Sequence, residues 1–188
     1  MKFIYILLPF FLFAACKKEE NQTANLAADH TKKSGEVKYT MPQEWQAEPP
    51  ASRMRKAQYK IPGVDGAGDA ELAVFVFPGG GGTVHANINR WVGQFKQPDG
   101  SSTDDKTITE IIKVNDLEVT KMYVTGTYLK STSMMMQGPV EELPDYAMLA
   151  AIVKTGVNPW FFKATGPQKT IDHWQPAFDK FVQTLKIN

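Results

Sequence analysis

The clearest pattern of apolar and polar positions lies in the middle of the chain. The predicted strand over 71–77 carries an unbroken apolar run at 72–77 that ends at Pro78, which is typical of a strand covered on both faces. Four glycines follow at 79–82. The next apolar residues share one helical stripe: Val84, Ile88, Trp91, Val92 and Phe95. With Thr83 as the N-cap, the pattern predicts a buried strand, a glycine-rich turn and an amphipathic helix over 83–95.

Further strands are indicated on both sides of this unit. The segments that alternate or stay apolar for the length of a strand are 37–41, 54–61, 107–114, 117–128, 146–153 and 160–165. Asn115 and Asp116 predict a hairpin turn, because Asn and Asp tolerate positive φ. Within 117–128 the apolar positions change from odd to even numbers, and this change predicts a β-bulge near Thr120 and Lys121.

The last third of the chain contains one long irregular stretch and one more helix. Residues 129–145 show no period and are expected to form a long connection. The C-terminal stripe consists of Trp174, Phe178, Phe181, Val182 and Leu185. Because Pro176 lacks an N–H, the helix is predicted over 176–186, after a separate turn at 170–175. Strands, helix, four strands and helix predict an α+β fold, with an antiparallel-rich central sheet sandwiched by helices.

The N-terminus has the pattern of an export signal. Lys2 precedes a short apolar segment over 4–13, and Ala14 and Ala15 lead to Cys16, the only cysteine. This segment resembles the lipobox of bacterial lipoproteins, with one departure: Phe13, not a leucine, stands three residues before the cysteine. The resemblance implies a lipid-anchored protein of the bacterial cell envelope, on the periplasmic face or the outer membrane, held by acyl chains on Cys16. The alternative is an ordinary signal peptide with a cysteine at its cleavage site.

This interpretation divides the chain into three parts. Residues 1–15 are the signal peptide, 16–35 are the lipidated cysteine and a polar tether, and 36–188 are a single globular α+β domain. The 188 residues are 43% apolar and 22% charged, which is enough apolar material for one core and too much for a disordered chain. The formal net charge of +1, without a basic stripe, argues against a nucleic-acid partner.

Two resemblances carry further expectations. The order of elements is similar to the PsbP-like α/β/α sandwich. The segments 54–62, 69–77, 79–95 and 161–170 resemble an uncharacterised family of exported bacterial proteins, many of them lipoproteins, with an N-x-x-R-W-x-x-Q-F helix. That family has no assigned activity, and the wider fold implies protein binding rather than catalysis.

The glycine-rich turn is the first candidate site. Free amides at a helix N-terminus attract anions, so Gly81, Gly82, Thr83 and Val84 are candidate anion contacts. The turn lacks the lysine of a phosphate loop and the spacing of a dinucleotide-binding turn. The alternative is a strand-to-helix turn that needs glycine only for backbone freedom.

Catalytic and metal-binding patterns are weak. The histidines are His30, His85 and His173, and no serine elbow or H-E-x-x-H pair accompanies them. We therefore expect no enzyme activity and no cofactor. A metal site shared by His85 and His173, each expected in the first turn of a helix, is the basis of an alternative function.

Three consecutive methionines complete the list of candidates. Met134, Met135 and Met136 could contact a protein partner in the envelope, pack onto the core, or bind Cu(I). The sequence thus predicts a lipid-anchored, non-catalytic binding or scaffold module. A periplasmic carrier of a metal or small ligand is the alternative.

Overall fold

A computed structural model describes residues 36–131, 139–156 and 158–188, and all structural statements below refer to these residues. The described residues contain two α-helices, α1 (Val84–Val92) and α2 (Gln168–Gln183). The strands are β1 (Val37–Lys38), β2 (Gln46–Glu48), β3 (Arg55–Ile61), β4 (Ala70–Val76), β5 (Phe95–Lys96), β6 (Thr107–Val114), β7 (Leu117–Ser131), β8 (Val140–Lys154), β9 (Trp160–Pro167) and β10 (Lys186–Ile187). Within the described ranges, neither helix is long and apolar enough to cross a membrane.

The main sheet has eight strands and is antiparallel throughout. Its order is β2-β3-β4-β9-β8-β7-β5, and β6 pairs with the first half of β7. The short strands β1 and β10 form a separate antiparallel pair. The apolar runs at 72–77 and 147–153 lie mainly in β4 and in the second half of β8, which are interior strands of this sheet, and this explains why both of their faces are largely apolar.

The helices lie on opposite faces of the sheet. On one face, α2 contributes Phe178, Phe181 and Val182 to a core that also contains Leu72, Val74 and Phe162 of the sheet. On the other, Trp91 and Val92 of α1 pack against Met148, Ile152 and Phe161. The predicted fold class, an α+β sandwich of helix, sheet and helix, is therefore confirmed.

The predicted N-cap and glycine turn of α1 are confirmed, but the helix ends at Val92, three residues before the predicted end, and Phe95 belongs to β5. Thr83 has extended backbone angles, and its hydroxyl accepts a hydrogen bond from the Ala86 N–H at 3.1 Å. Gly81 has a φ of +103°, and a Cβ there would lie 3.1 Å from the Phe161 ring. Glycine is thus required for both backbone conformation and close packing at this turn.

The predicted hairpin turn is confirmed, but the predicted bulge is wrong. Asn115 and Asp116 have φ of 45° and 68°. Pairing between β7 and β8 is regular through Thr120 and Lys121, and its register shifts only between Gly126 and Tyr128. The change of apolar phase has another cause: Leu117 and Val119 face the α2 layer, whereas Met122 and Val124 face the α1 layer.

The long connection predicted over 129–145 is wrong for its described residues, which are all strand except Pro139. β7 continues to Ser131 and β8 begins at Val140, with Leu129 opposite Glu142 and Lys130 opposite Glu141. The sequence pattern did not predict these strand ends because they lack apolar alternation. Cross-strand ion pairs such as Lys130–Glu141, at 3.1 Å, stabilise this part of the hairpin instead.

The start of α2 was also predicted wrongly. The helix begins at Gln168 and includes Pro176. Proline at 176 leaves the carbonyl of Asp172 without its helical donor, but both residues are exposed, so water can satisfy that carbonyl. Buried Thr170 and Ile171 hold the first turn against the sheet.

Candidate functional site

A cleft opens on the α1 face because α1 is too short to cover the sheet. Nine residues of α-helix extend about 14 Å. The helix covers one part of the face, and beside it a cleft of about 400 Å³ remains over β4 and β9. Its floor includes Ala73, Lys163 and Thr165, and its sides include Arg55, Glu71 and Tyr128. The volume is within the roughly 300–1,000 Å³ typical of small-molecule sites.

Lys163 is the central polar group of the cleft. Trp160, Phe162 and Ala164 of β9 face α2, so strand alternation turns Lys163 toward the α1 face. Its neighbours on the adjoining strands are Ala73 and Ala150, which leave room for its long stem.

The ammonium of Lys163 is held by neutral groups. Nζ donates a hydrogen bond to Gln94 Oε1 at 2.8 Å and lies 5.7 Å from the centre of the Tyr128 ring. Among the described residues, no carboxylate forms an ion pair with it within 4.0 Å. Within the described part of the chain, this largely buried ammonium therefore has no directly paired carboxylate, although the charge of Glu71 acts on it from a greater distance.

The surroundings of Lys163 favour its neutral form. Burial is the main cause that lowers its pKa to about 8, and the positive charges of Arg90 and Arg55 lower it further, while Glu71 acts in the opposite direction. The group therefore remains mostly charged at neutral pH, but it is more easily deprotonated than an ordinary lysine.

Arg55 reaches the cleft through an irregularity in β3. The register with β4 shifts between Arg55 and Ala57, and this shift places Arg55 opposite Phe75 on the α1 face. Its guanidinium pairs with Glu71 Oε1 at 2.7 Å and donates to Gln58 Oε1 at 2.6 Å. Glu71 is the carboxylate whose charge acts on Lys163, and its ion pair is formed with Arg55 instead.

The opposite side of the cleft is aromatic. The rings of Tyr128 and Tyr146 are stacked, with centroids 6.2 Å apart and planes inclined by 9°. Burial, followed by the charge of Glu71, raises the pKa of Tyr128 above its usual value. Its hydroxyl is therefore protonated at neutral pH and able to donate. The wall continues onto Leu143 in the part of the hairpin that was predicted to be irregular.

The sequence-predicted anion contacts lie elsewhere. Gly82, Thr83 and Val84 border a second hollow, of about 520 Å³, together with His85 and Lys154. The Asn87 side-chain amide donates to the carbonyls of Gly81 and Thr83, the latter at 2.9 Å, and thereby fixes the turn. An anion contact at Gly81, Gly82, Thr83 and Val84 stays a prediction.

The remaining candidates are separated or lie outside the described residues. His85 is on α1 and His173 is in the second turn of α2, on opposite faces of the sheet, so the two cannot share one metal. In the described part of the chain, no three His, Cys, Asp or Glu residues are grouped as metal ligands would be. Cys16 and Met134, Met135 and Met136 lie outside the described residues.

Sequence reasoning missed the cleft, although one signal was available. Lys163 is the only charged residue in β9, with Trp160, Phe161 and Phe162 before it. A charged residue inside an interior strand is uncommon, since burial of an unpaired charge is costly. Glu71 occupies a similar position at the start of β4.

Comparisons with known proteins add structural likeness only. No protein-family profile matches the sequence, and no curated protein matches it. The solved structures that resemble it include a cyanobacterial PsbP from Synechocystis, with 11% identity and a TM-score of 0.49, covering 85% of this chain and 89% of that one. LpqN of Mycobacterium tuberculosis, described as involved in cell envelope biogenesis, has 10% identity and a TM-score of 0.49, over 82% and 86% of the two chains. A Pseudomonas aeruginosa protein of unknown function has 12% identity and a TM-score of 0.47, over 82% and 99%.

Proposed function

We propose that this chain is a lipid-anchored, non-catalytic binding module of the bacterial envelope, and that it takes a small ligand in the cleft around Lys163. The observation that carries this proposal is a largely buried ammonium at the floor of a cleft of about 400 Å³, without a carboxylate partner among the described residues. Buried charges are normally paired, so an unpaired one inside a cavity favours a ligand that supplies the partner.

Binding without turnover is supported by how the polar groups are engaged. Glu71 pairs with Arg55, and Lys163 donates to Gln94, whose neutral amide cannot accept a proton. A lowered pKa can also activate a lysine as a nucleophile, but with a pKa of about 8 Lys163 stays mostly protonated at neutral pH and lacks the free electron pair that attack requires. The groups of the cleft are arranged to hold a charge rather than to transfer a proton.

The proposed anchor rests on the sequence around Cys16. Cells that express the protein are grown with a clickable palmitate analogue, and the wild type is compared with Cys16→Ala. The wild type should be labelled and Cys16→Ala should not. Equal labelling of both proteins would contradict the anchor while leaving the cleft proposal intact.

Ligand binding is tested with the mature protein in lipid nanodiscs. Saturation-transfer NMR against a library of small carboxylates, amines, sugars and neutral aromatics should detect binders. Ala73→Leu adds volume at the floor of the cleft beside Lys163, and it should abolish their signals. Ala86→Leu adds the same volume at an exposed position of α1 and is the control. If no compound distinguishes wild type from Ala73→Leu, the cleft is not a binding site.

A further inference from the structure

The charges around the cleft indicate which chemical group it would accept. Arg55 and Glu71 neutralise each other at 2.7 Å, and on the rim Lys130 pairs with Glu141 at 3.1 Å. Asp69 lies 3.9 Å from Lys60. Among the described residues that line the cleft, Lys163 is the cation without an ion pair, so the cleft carries one positive charge that is not balanced there.

The apolar lining of the cleft adds a second requirement for the ligand. Phe75, Tyr128, Leu143 and Tyr146 line the cleft with apolar surface beside the ammonium. Apolar contact of this kind contributes roughly 25 cal/mol per Å² of ligand surface removed from water. A ligand that uses the whole site has one anionic group and an apolar body.

We propose that the ligand is a small organic monocarboxylate, with its carboxylate paired to Nζ of Lys163 and its apolar body against Tyr128 and Tyr146. This inference rests on the proposed function, because it names the class of ligand for the same cleft. A cationic ligand would be repelled by Lys163 and by Arg90 nearby. A multiply charged anion would place its excess charge near Glu71 and Asp69, which line the same cleft.

A carboxylate fits the donors that are present. The Lys163 ammonium has three N–H groups and gives one to Gln94, so two remain for an incoming oxygen pair. The protonated hydroxyl of Tyr128, on the aromatic side of the cleft, is a further donor. Charge-assisted hydrogen bonds of this type are roughly twice as strong as neutral ones, so the carboxylate should determine the affinity.

Calorimetry on the mature protein in nanodiscs tests the proposal with matched acid and amide pairs: phenylacetate with phenylacetamide, indoleacetate with indoleacetamide, and hexanoate with hexanamide. At least one acid should bind ten or more times more tightly than its amide, which has nearly the same shape. Lys163→Met should weaken that acid at least tenfold, and Lys163→Arg should retain most of its affinity. Lys169→Met removes an exposed lysine on α2, across the sheet, and should change nothing.

A second measurement shows whether the carboxylate meets Lys163 itself. At pH 8.5 the lysine is partly neutral, and binding of an anion should make it take up a proton, so the binding enthalpy should depend on the ionisation enthalpy of the buffer. Arg55, Glu71 and Tyr128 also line the cleft and Arg90 lies nearby; burial raises the pKa of Tyr128, so its hydroxyl stays protonated at this pH. Lys163→Met and the amides should show no such dependence.

The outcomes separate this inference from the function on which it rests. If amides or amines bind as well as the acids and Ala73→Leu abolishes their binding, the cleft is a binding site but the carboxylate class is wrong. If no acid binds and the library also fails, both proposals are overturned. Thermal melting of Lys163→Met and Ala73→Leu, with unchanged circular dichroism, shows that each loss is local.

Discussion

Replacing Lys163 with methionine should remove a specific pH dependence from the stability of the fold. Burial and the neighbouring arginines lower the pKa of Lys163 to about 8. A lysine in an unfolded chain titrates near about 10.4. Between these two values the unfolded chain binds the proton more tightly than the folded protein, so the free energy of unfolding rises with pH.

The size of the effect follows from the difference in pKa. At pH 7 the charged lysine destabilises the fold by about 3 kcal/mol, since each pKa unit corresponds to about 1.4 kcal/mol. At pH 9.5 the folded lysine is neutral and the penalty falls to about 1 kcal/mol. Relative to Lys163→Met, the wild type should therefore gain about 2 kcal/mol between pH 7 and 9.5. Methionine keeps the apolar stem without the charge, so the variant should be the more stable protein at pH 7.

Urea denaturation at pH 7, 8, 9 and 9.5 measures these differences, and both proteins share every other titrating group. Tyr128, whose pKa is raised by burial, is present in both and cancels. Lys169→Met, which removes an exposed lysine, should follow the wild type in parallel at all four values. If wild type and Lys163→Met gain equally with pH, the ammonium is solvated and the argument for an unpaired buried charge is refuted.

Three further predictions concern the fold. Trp91 is 4% exposed and packs edge-on against Phe161, so Trp91→Ala should cost about 3–5 kcal/mol in chemical denaturation; an unchanged melting temperature would mean that α1 does not pack on the sheet. Thr83→Ala should cost about 1 kcal/mol, measured in the same way, because the Ala86 N–H loses its cap, and full rescue is expected from Thr83→Ser but not from Thr83→Val. A Cβ at Gly166 would lie 2.3 Å from the Cβ of Ala70. Gly166→Ala should therefore destabilise the fold by about 1–3 kcal/mol and lower the melting temperature by several degrees. Gly80→Ala is the control, because a Cβ at Gly80 has open space around it and should have little effect.

The elements that the sequence predicted correctly are those with a local cause. The α1 stripe with its Thr83 cap, the turn at Asn115 and Asp116, and the apolar runs of β4 and β8 each follow from spacing or backbone preference within a few residues. An interior strand that is buried on both faces is apolar at most of its positions, and such a run can be recognised in the sequence. The fold class followed from the order of these elements.

What the tertiary structure decided depends on neighbours that are distant in the chain. The outer part of the β7–β8 hairpin is stabilised by cross-strand ion pairs, and Pro176 is tolerated because Asp172 beside it faces solvent. The cleft around Lys163 exists because α1 ends before it covers the whole of β9, Ala73 and Ala150 give the lysine stem room, and Arg55 engages Glu71. Alternation in β9 shows that Lys163 faces away from α2. The packing of several separate segments decides whether that face meets a helix, water or a cleft. It also decides whether a carboxylate comes within reach of the ammonium. Electrostatic environment is set by distances in space, and those distances exist only after the chain has folded.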